Sequence, residues 1–350
     1  MDSNESIVTK GFLVKSDLMF SPLPRWFITL TLGFCGLIKD TSWIIEFLSV
    51  IFSNEPRPRE FATYRFMIGN AVFLSRCVIV TFALDWKAFA NFAKQLSRVE
   101  LDKDEESVKQ INKQRRIKNW FFLISLIAYT VITSTRYMPQ LRTEIYAVFL
   151  LFVDIVMHIG NFFLVHLIVD LCICLKAAFQ YINQHLAHFQ ITSPNLMLSE
   201  MRRNRSLYTR TIRASQEAEK FARHYIAWFY FQFFLFNLVN IVNILGGKSE
   251  TSIAFFLYMV LDITTAAYLT LNLVAVNKVS TEGMEDLYEI SYDLKSYNLH
   301  NENNLFLNRM LWRNVGFTFS NLFLINPNFV TSLLSFSLTI ALTMANFLYK

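Results

Sequence analysis

The chain has 350 residues, 53% of them hydrophobic and 16% aromatic, with only 17% charged against roughly 25% in an ordinary soluble domain. That composition excludes a soluble globular protein and predicts an all-α polytopic membrane protein. The net charge of +6 sits between the apolar runs, as membrane orientation requires, and no nucleic-acid motif accompanies it, so no nucleic-acid partner is expected.

Residues 1–24 carry Asp2, Glu5, Lys10, Lys15 and Asp17 and no apolar core of signal-peptide length, so the first span is expected to act as a signal anchor. Seven spans are predicted within a single domain, at about 26–52, 62–84, 119–135, 144–175, 225–245, 252–276 and 326–348. The first is interrupted by Lys39-Asp40, and the second holds Arg76 in its middle. The fourth pattern is 32 residues long, about 48 Å as helix, and should project beyond the bilayer. The fifth carries an aromatic run from Trp228 to Phe236 and ends at Gly246-Gly247.

Three longer polar segments separate the spans. The first, 85–118, is mixed in charge; the second, 176–224, is basic and broken at Ser193-Pro194. The third, 277–325, holds an apolar stripe through Leu305, Leu307, Met310, Leu311 and Phe317, which suggests an amphipathic helix lying against the protein. Segments 85–118 and 176–224 together hold 17 Lys and Arg, while 53–65, 136–144 and 246–251 hold 3, 2 and 1. The first set, with 277–325, is therefore assigned to the cytoplasm, the amino terminus inside and the carboxyl terminus outside. The sequons at Asn4 and Asn204 would then stay unmodified.

The last run is patterned. Asn328, Ser332, Ser335, Thr339, Thr343 and Asn346 recur at spacings of 4, 3, 4, 4 and 3, a stripe roughly 80° wide on a helix. Such a stripe either packs against neighbouring helices or faces water. Asn326 and Pro327 cap and start this helix; they imitate an Asn-Pro-x-x-Tyr motif, but the position is that of an ordinary helix start.

Ionisable residues inside spans are costly and call for a role. Arg76, Asp154, His158, His166, Asp170 and Asp262 qualify. Asp154 and His158 share a face at i, i+4, and with Arg76, Asp262 and the aromatic Trp228 they form the ligand-pocket candidates. The plainer reading pairs Arg76 with Asp154 or Asp262. His166 and Asp170 repeat the spacing without a third ligand, and Cys35, Cys77, Cys172 and Cys174 all lie in apolar runs, so neither a metal site nor a disulfide framework is expected. No cofactor motif, Walker loop, nucleophile elbow or HExxH appears, and an enzyme is not expected.

The end of the chain resembles the insect gustatory receptors, whose last span closes with Thr-Tyr, five apolar residues and Gln-Phe. Here the same spacing reads Thr339-Ile340, Ala341 to Ala345, then Asn346-Phe347, and the approach from Phe317-Thr318 to Asn326 is also similar. Ile340 stands for the tyrosine and Asn346 for the glutamine. Ala341 occupies the place where sugar receptors of the family usually carry Glu, which speaks against a sugar ligand. The resemblance implies a tastant-gated cation channel in the plasma membrane of sensory neurons, a homo- or hetero-tetramer with the seventh helices around the pore. Ser332, Ser335, Thr339, Thr343 and Asn346 would then line the pore, with Phe336, Ile340 or Met344 as the gate. An odorant-receptor-type channel is the nearest alternative. Secondary transport would call for inverted halves or Gly/Pro-broken spans at matching positions, and neither is seen.

Overall fold

The computed structural model describes residue 75 and residues 78–141, 146–189, 194–245, 253–311 and 315–348. The first predicted span, most of the second and Arg76 lie outside the described residues. Within them the protein is almost wholly helical: α1 (Trp86–Ser97), α2 (Glu105–Leu141), α3 (Tyr146–Ala187), α4 (Pro194–Leu245), α5 (Ile253–Glu282), α6 (Met284–Asp293), α7 (Tyr297–Leu311) and α8 (Pro327–Leu348). A two-stranded antiparallel hairpin, β1 (Thr318–Phe319) and β2 (Phe323–Leu324), precedes α8. Three stretches are long and apolar enough to cross a membrane, Glu105–Thr135, Ala147–Ala187 and Phe256–Asp293, the pattern of a multi-pass membrane protein.

Local chemistry sets where the helices start. The Asp85 carboxylate accepts from the Ala88 N–H at 3.0 Å and caps α1, whose Trp86, Phe89, Phe92 and Leu96 fall on one buried face. Asp104 does the same for α2 through the Ser107 N–H at 2.9 Å. Pro194 opens α4, where its missing N–H costs nothing.

The helices continue beyond the predicted spans. Residues 176–224 form two helical halves on either side of the expected break at Ser193-Pro194: α3 continues to Ala187, and α4 runs from Pro194 through 52 residues, about 78 Å. Most of their charged residues occupy the outer face, while Ala178, Phe179 and Ile182 on α3 and Tyr208, Phe221 and Ile226 on α4 stay fully buried, with a few polar groups such as Thr211 and Glu219 among them. An apolar stripe continuing on one side is enough to carry a helix past the membrane edge.

At the centre lies α3, buried from Leu164 through Cys174 almost without interruption. It is flanked by α2, α5 and α4, and α4 in turn carries α1, α7, the hairpin and α8. Where α5 gives way to α6, a Cβ on Gly283 would meet the side-chain amide oxygen of Asn183 on α3 at 2.7 Å, so a larger residue there would have to displace that side chain. The Asn183 amide also donates to the Val279 carbonyl, tying α3 to the end of α5.

The amphipathic helix expected in 277–325 is α7, with a different buried face. Leu299, Phe306, Leu307 and Met310 are buried with Glu302 and Asn303, while Leu305 and Leu311 are exposed. Phe317 is buried beyond the helix, beside the hairpin. The expected stripe mixed two faces, because 305 and 311 stand well over 90° from 307 and about 100° from 310, respectively, on a 3.6-residue helix.

Candidate functional site

Two regions carry the residues singled out by sequence: the last helix, and an aromatic cluster between α2, α3 and α5.

The α8 helix begins as its sequence dictates, with the Asn326 side chain accepting from the Phe329 N–H at 2.9 Å. One seam packs against α4 and the hairpin. Phe329 meets Tyr230 edge-on at 5.8 Å and Phe319 at 5.9 Å, and Phe336 stacks on Phe234 at 5.8 Å and 17°. Leu333 packs against the core, and Ile340 continues the 4, 3, 4 spacing of this seam and is half-buried. Ser332, Ser335, Thr339, Thr343 and Asn346 all lie on the other side and are exposed. Of the proposed gate residues, Phe336 is exposed at the border between seam and stripe, Ile340 belongs to the seam, and the Met344 side chain lies outside the described residues. Beyond the stripe runs a second exposed row, Leu334, Leu338 and Leu342, which the sequence reading left aside.

The stripe hydroxyls satisfy themselves. Thr339 donates to the Ser335 carbonyl at 2.9 Å, and Thr343 to the Thr339 carbonyl at 2.8 Å, each one turn back. A threonine that gives its proton to its own helix presents only oxygen lone pairs outward. The exposed face thus presents acceptor oxygens at Thr339 and Thr343 between the exposed Ser332, Ser335 and Asn346 side chains, a polar surface suited to water and cations.

The second region gathers four aromatic rings. His158 of α3 stacks on Tyr129 of α2 at 3.5 Å and 18°. Tyr129 also meets Phe162 at 6.1 Å and Tyr258 of α5 at 5.4 Å, and the Tyr258 hydroxyl hydrogen-bonds the Thr133 hydroxyl at 2.8 Å. This cluster lies roughly 37 Å along α3 from Asn183 and the α5–α6 junction. At that other end opens a polar crevice of about 580 Å³ lined by residues such as Lys109, Gln110, Asn183 and Asp286. Asp262 is exposed one turn from Tyr258, and the Asp154 side chain lies outside the described residues. Trp228 is on α4 with its ring 5.0 Å from Phe231 and its indole N–H buried without a partner. Of the pocket candidates, then, His158 sits in a ring cluster built by residues the sequence reading had passed over. Tyr129, Phe162 and Tyr258 looked like ordinary apolar filling.

The most deeply buried acid among the described residues is Asp170, 1% exposed. Arg115 of α2 grips it through Nε at 3.1 Å and Nη2 at 2.9 Å, and Lys118 bonds the same carboxylate. His166, one turn away, lies against the Phe122 ring at 4.8 Å. Arg115 and Lys118 belong to the segment 85–118 assigned to the cytoplasm, and α2 carries both into the helix bundle. No group of three metal-ligating side chains occurs among the described residues.

Closer to the hairpin, Glu219 of α4 is buried and accepts from Arg223 at 2.9 and 2.7 Å and from the Thr318 hydroxyl at 2.6 Å. The hydrogen bond to Glu219, more than its burial, holds the Arg223 guanidinium above its ordinary pKa. Among acids outside the spans, Asp85 titrates below the ordinary 3.8. Burial pushes its carboxyl up, but the Ala88 N–H and Lys220, at 3.2 Å, outweigh that.

No protein-family model matches the chain, and no curated protein does. Among solved structures it is similar to the insect olfactory receptor OR5 from Machilis hrabei in complex with eugenol, with a TM-score of 0.67 over 95% of this chain and 92% of that one. Sequence identity is 11%, so the likeness is one of fold. The described helices, their apolar lengths and this likeness define the class: a mostly helical, multi-pass membrane protein with the fold of an insect olfactory receptor.

Proposed function

We propose that the protein is a subunit of a small-molecule-gated cation channel of the insect chemoreceptor kind, with seven spans, the amino terminus inside and the carboxyl terminus outside. The observation that carries this reading is the exposed polar stripe on α8, with acceptor oxygens at Thr339 and Thr343, on a helix that packs along one seam among the described residues. Four copies arranged with α8 around an axis would turn Ser332, Ser335, Thr339, Thr343 and Asn346 toward a water-filled pore, where permeant cations meet lone pairs in place of part of their hydration. The Leu334, Leu338 and Leu342 row would then pack against a neighbouring copy. Phe336, at the border of seam and stripe, is the best-placed gate residue.

The ring cluster of Tyr129, His158, Phe162 and Tyr258 supports a ligand site of its own. Rings that stack on one another also stack on a ring-bearing guest. Eugenol, the molecule held by the OR5 receptor, is of that kind. The fold likeness favours the odorant-receptor type of channel; the spacing of Thr339, Asn346 and Phe347 at the chain's end favours the gustatory type, with a non-sugar, bitter-class ligand. Either type belongs in the plasma membrane of a sensory neuron. Expression of the full chain, alone and with other receptor subunits, should give a eugenol- or tastant-evoked cation current whose permeation changes in Thr339→Val and Asn346→Ala. Normal currents with unaltered permeation in both variants would reject the pore-lining role, and the class of active stimulus decides between the two types.

A further inference from the structure

Helix α4 connects to the last helix at three levels, and the lowest is polar. At the bottom, Glu219 receives the Arg223 guanidinium on both oxygens and the Thr318 hydroxyl on one. Eleven and fifteen residues further along α4, Tyr230 and Phe234 meet Phe329 and Phe336 of α8. Tyr230 is itself tied to α5 by a hydroxyl–hydroxyl bond to Thr270 at 2.7 Å.

The hairpin between these levels is stiff. Its two strands pair Thr318 with Leu324 and Phe319 with Phe323, the Ile325 N–H donates to the Phe317 carbonyl at 2.9 Å, and Phe317 and Ile325 are fully buried. At the turn, Ser320 and Asn321 both have positive φ, and the Asn321 N–H donates to the Thr318 hydroxyl oxygen at 3.0 Å. Gly316, with φ of +132°, starts the hairpin where a side chain would be strained. Thr318 therefore stands at the crossing of two constraints: it organises the turn through its oxygen and grips α4 through its proton. Only two residues separate β2 from Pro327, so wherever Glu219 holds Thr318, the start of α8 is held too.

We infer that the Glu219–Thr318 hydrogen bond is the joint through which displacement of α4 reaches the last helix, making Glu219, Arg223 and Thr318 positioning residues for gating. The inference rests on the channel reading above. Arg223 fixes the carboxylate in the orientation that Thr318 needs, since a bidentate guanidinium leaves it no freedom to swing. The aromatic contacts higher up can slide over one another, whereas a directional hydrogen bond at 2.6 Å transmits position. With the joint removed, ligand-driven motion of α4 is taken up by slippage at the rings.

The test uses the full chain, eugenol as probe, and three readings: half-activating concentration, reversal potential and surface amount. Thr318→Ala removes the hydroxyl and leaves the Glu219–Arg223 pair intact; the expected result is a half-activating concentration raised about tenfold, with reversal potential and surface amount unchanged. Thr318→Ser keeps the hydroxyl and should restore the parent response. Adding Thr318→Ala to Glu219→Ala should shift activation little beyond Glu219→Ala alone, since both remove the same bond. A parent-like response of Thr318→Ala at normal surface amount overturns the inference, as do additive shifts in the double variant. A Thr318→Ala chain that fails to reach the surface while Thr318→Ser succeeds shows a folding contact only, and also overturns it. A parent chain silent to eugenol and to tastants, alone and with other subunits, removes the channel reading and the joint with it.

Discussion

Helices α3 and α8 are both apolar and uncharged over long stretches, yet they treat their polar residues in opposite ways. On α3 the polar groups are buried and depend on other helices: Asp170 is held by Arg115 and Lys118, and His166 lies against Phe122. On α8 they are exposed and depend on nothing outside the helix, because Thr339 and Thr343 bond their own carbonyls. A charge buried in the bundle fixes which helices meet. A self-bonded hydroxyl is indifferent to its neighbour and remains available to water, to a cation or to another copy of the chain.

The strongest way to break this contrast is at Asp170. Asp170→Ala leaves Arg115 and Lys118 facing each other without their anion, and a cost of about 3–5 kcal/mol is expected, seen as a steep loss of monodisperse protein in detergent and of surface protein. Asn in the same place, which keeps hydrogen-bond acceptance, should lose less. If both variants fold as the parent does, the cluster is not what joins α2 to α3. By contrast, Thr339→Val should leave thermal stability within about 0.5 kcal/mol, because no bond between helices is lost.

A smaller effect is expected in the ring cluster. Tyr129→Ala removes a buried ring from three aromatic contacts, and a half-activating eugenol concentration raised roughly tenfold is expected, with ion selectivity unaltered. An unchanged response would return these rings to the status of core packing.

The smallest effect concerns α1. Asp85→Ala removes the cap of that helix and should cost about 1 kcal/mol. Because the carboxyl titrates below its unfolded value of 3.8, the contribution is complete at neutral pH and fades only as pH falls below about 4, through the lower folded value. Thermal unfolding of parent and variant should therefore converge in acid; a gap that persists at pH 2 would contradict the assignment.

The sequence was most informative where one periodicity governs a whole helix. The start of α8 at Pro327 and its Asn326 cap follow from the Asn-Pro pair, and the grouping of its polar residues on one face from spacing, although spacing left open whether that face packs or meets water. It was less informative wherever the answer depended on a second helix. The buried partners of Asp170 come from a stretch with nine basic residues, where nothing local distinguishes Arg115 and Lys118 from solvated neighbours. The helices around 176–224 were legible in part: the break at Ser193-Pro194 separates α3, which ends at Ala187, from α4, which starts at Pro194, but which faces of the two halves are buried depends on helices elsewhere in the chain. Tyr129 and Tyr258 escaped notice for a similar reason: an aromatic residue in an apolar run carries no mark of the ring it will meet in space.

The measurement that bears most directly on the central claim is cysteine accessibility along α8. Ser335→Cys and Thr339→Cys, on the exposed stripe, and Leu333→Cys, on the packed seam, are treated with a charged thiol reagent in water while current is recorded, on a background with the native cysteines replaced. The pore-lining account predicts rapid block at 335 and 339 and no block at 333. Block at 333 alone, or none at the two stripe positions in a conducting channel, would contradict it.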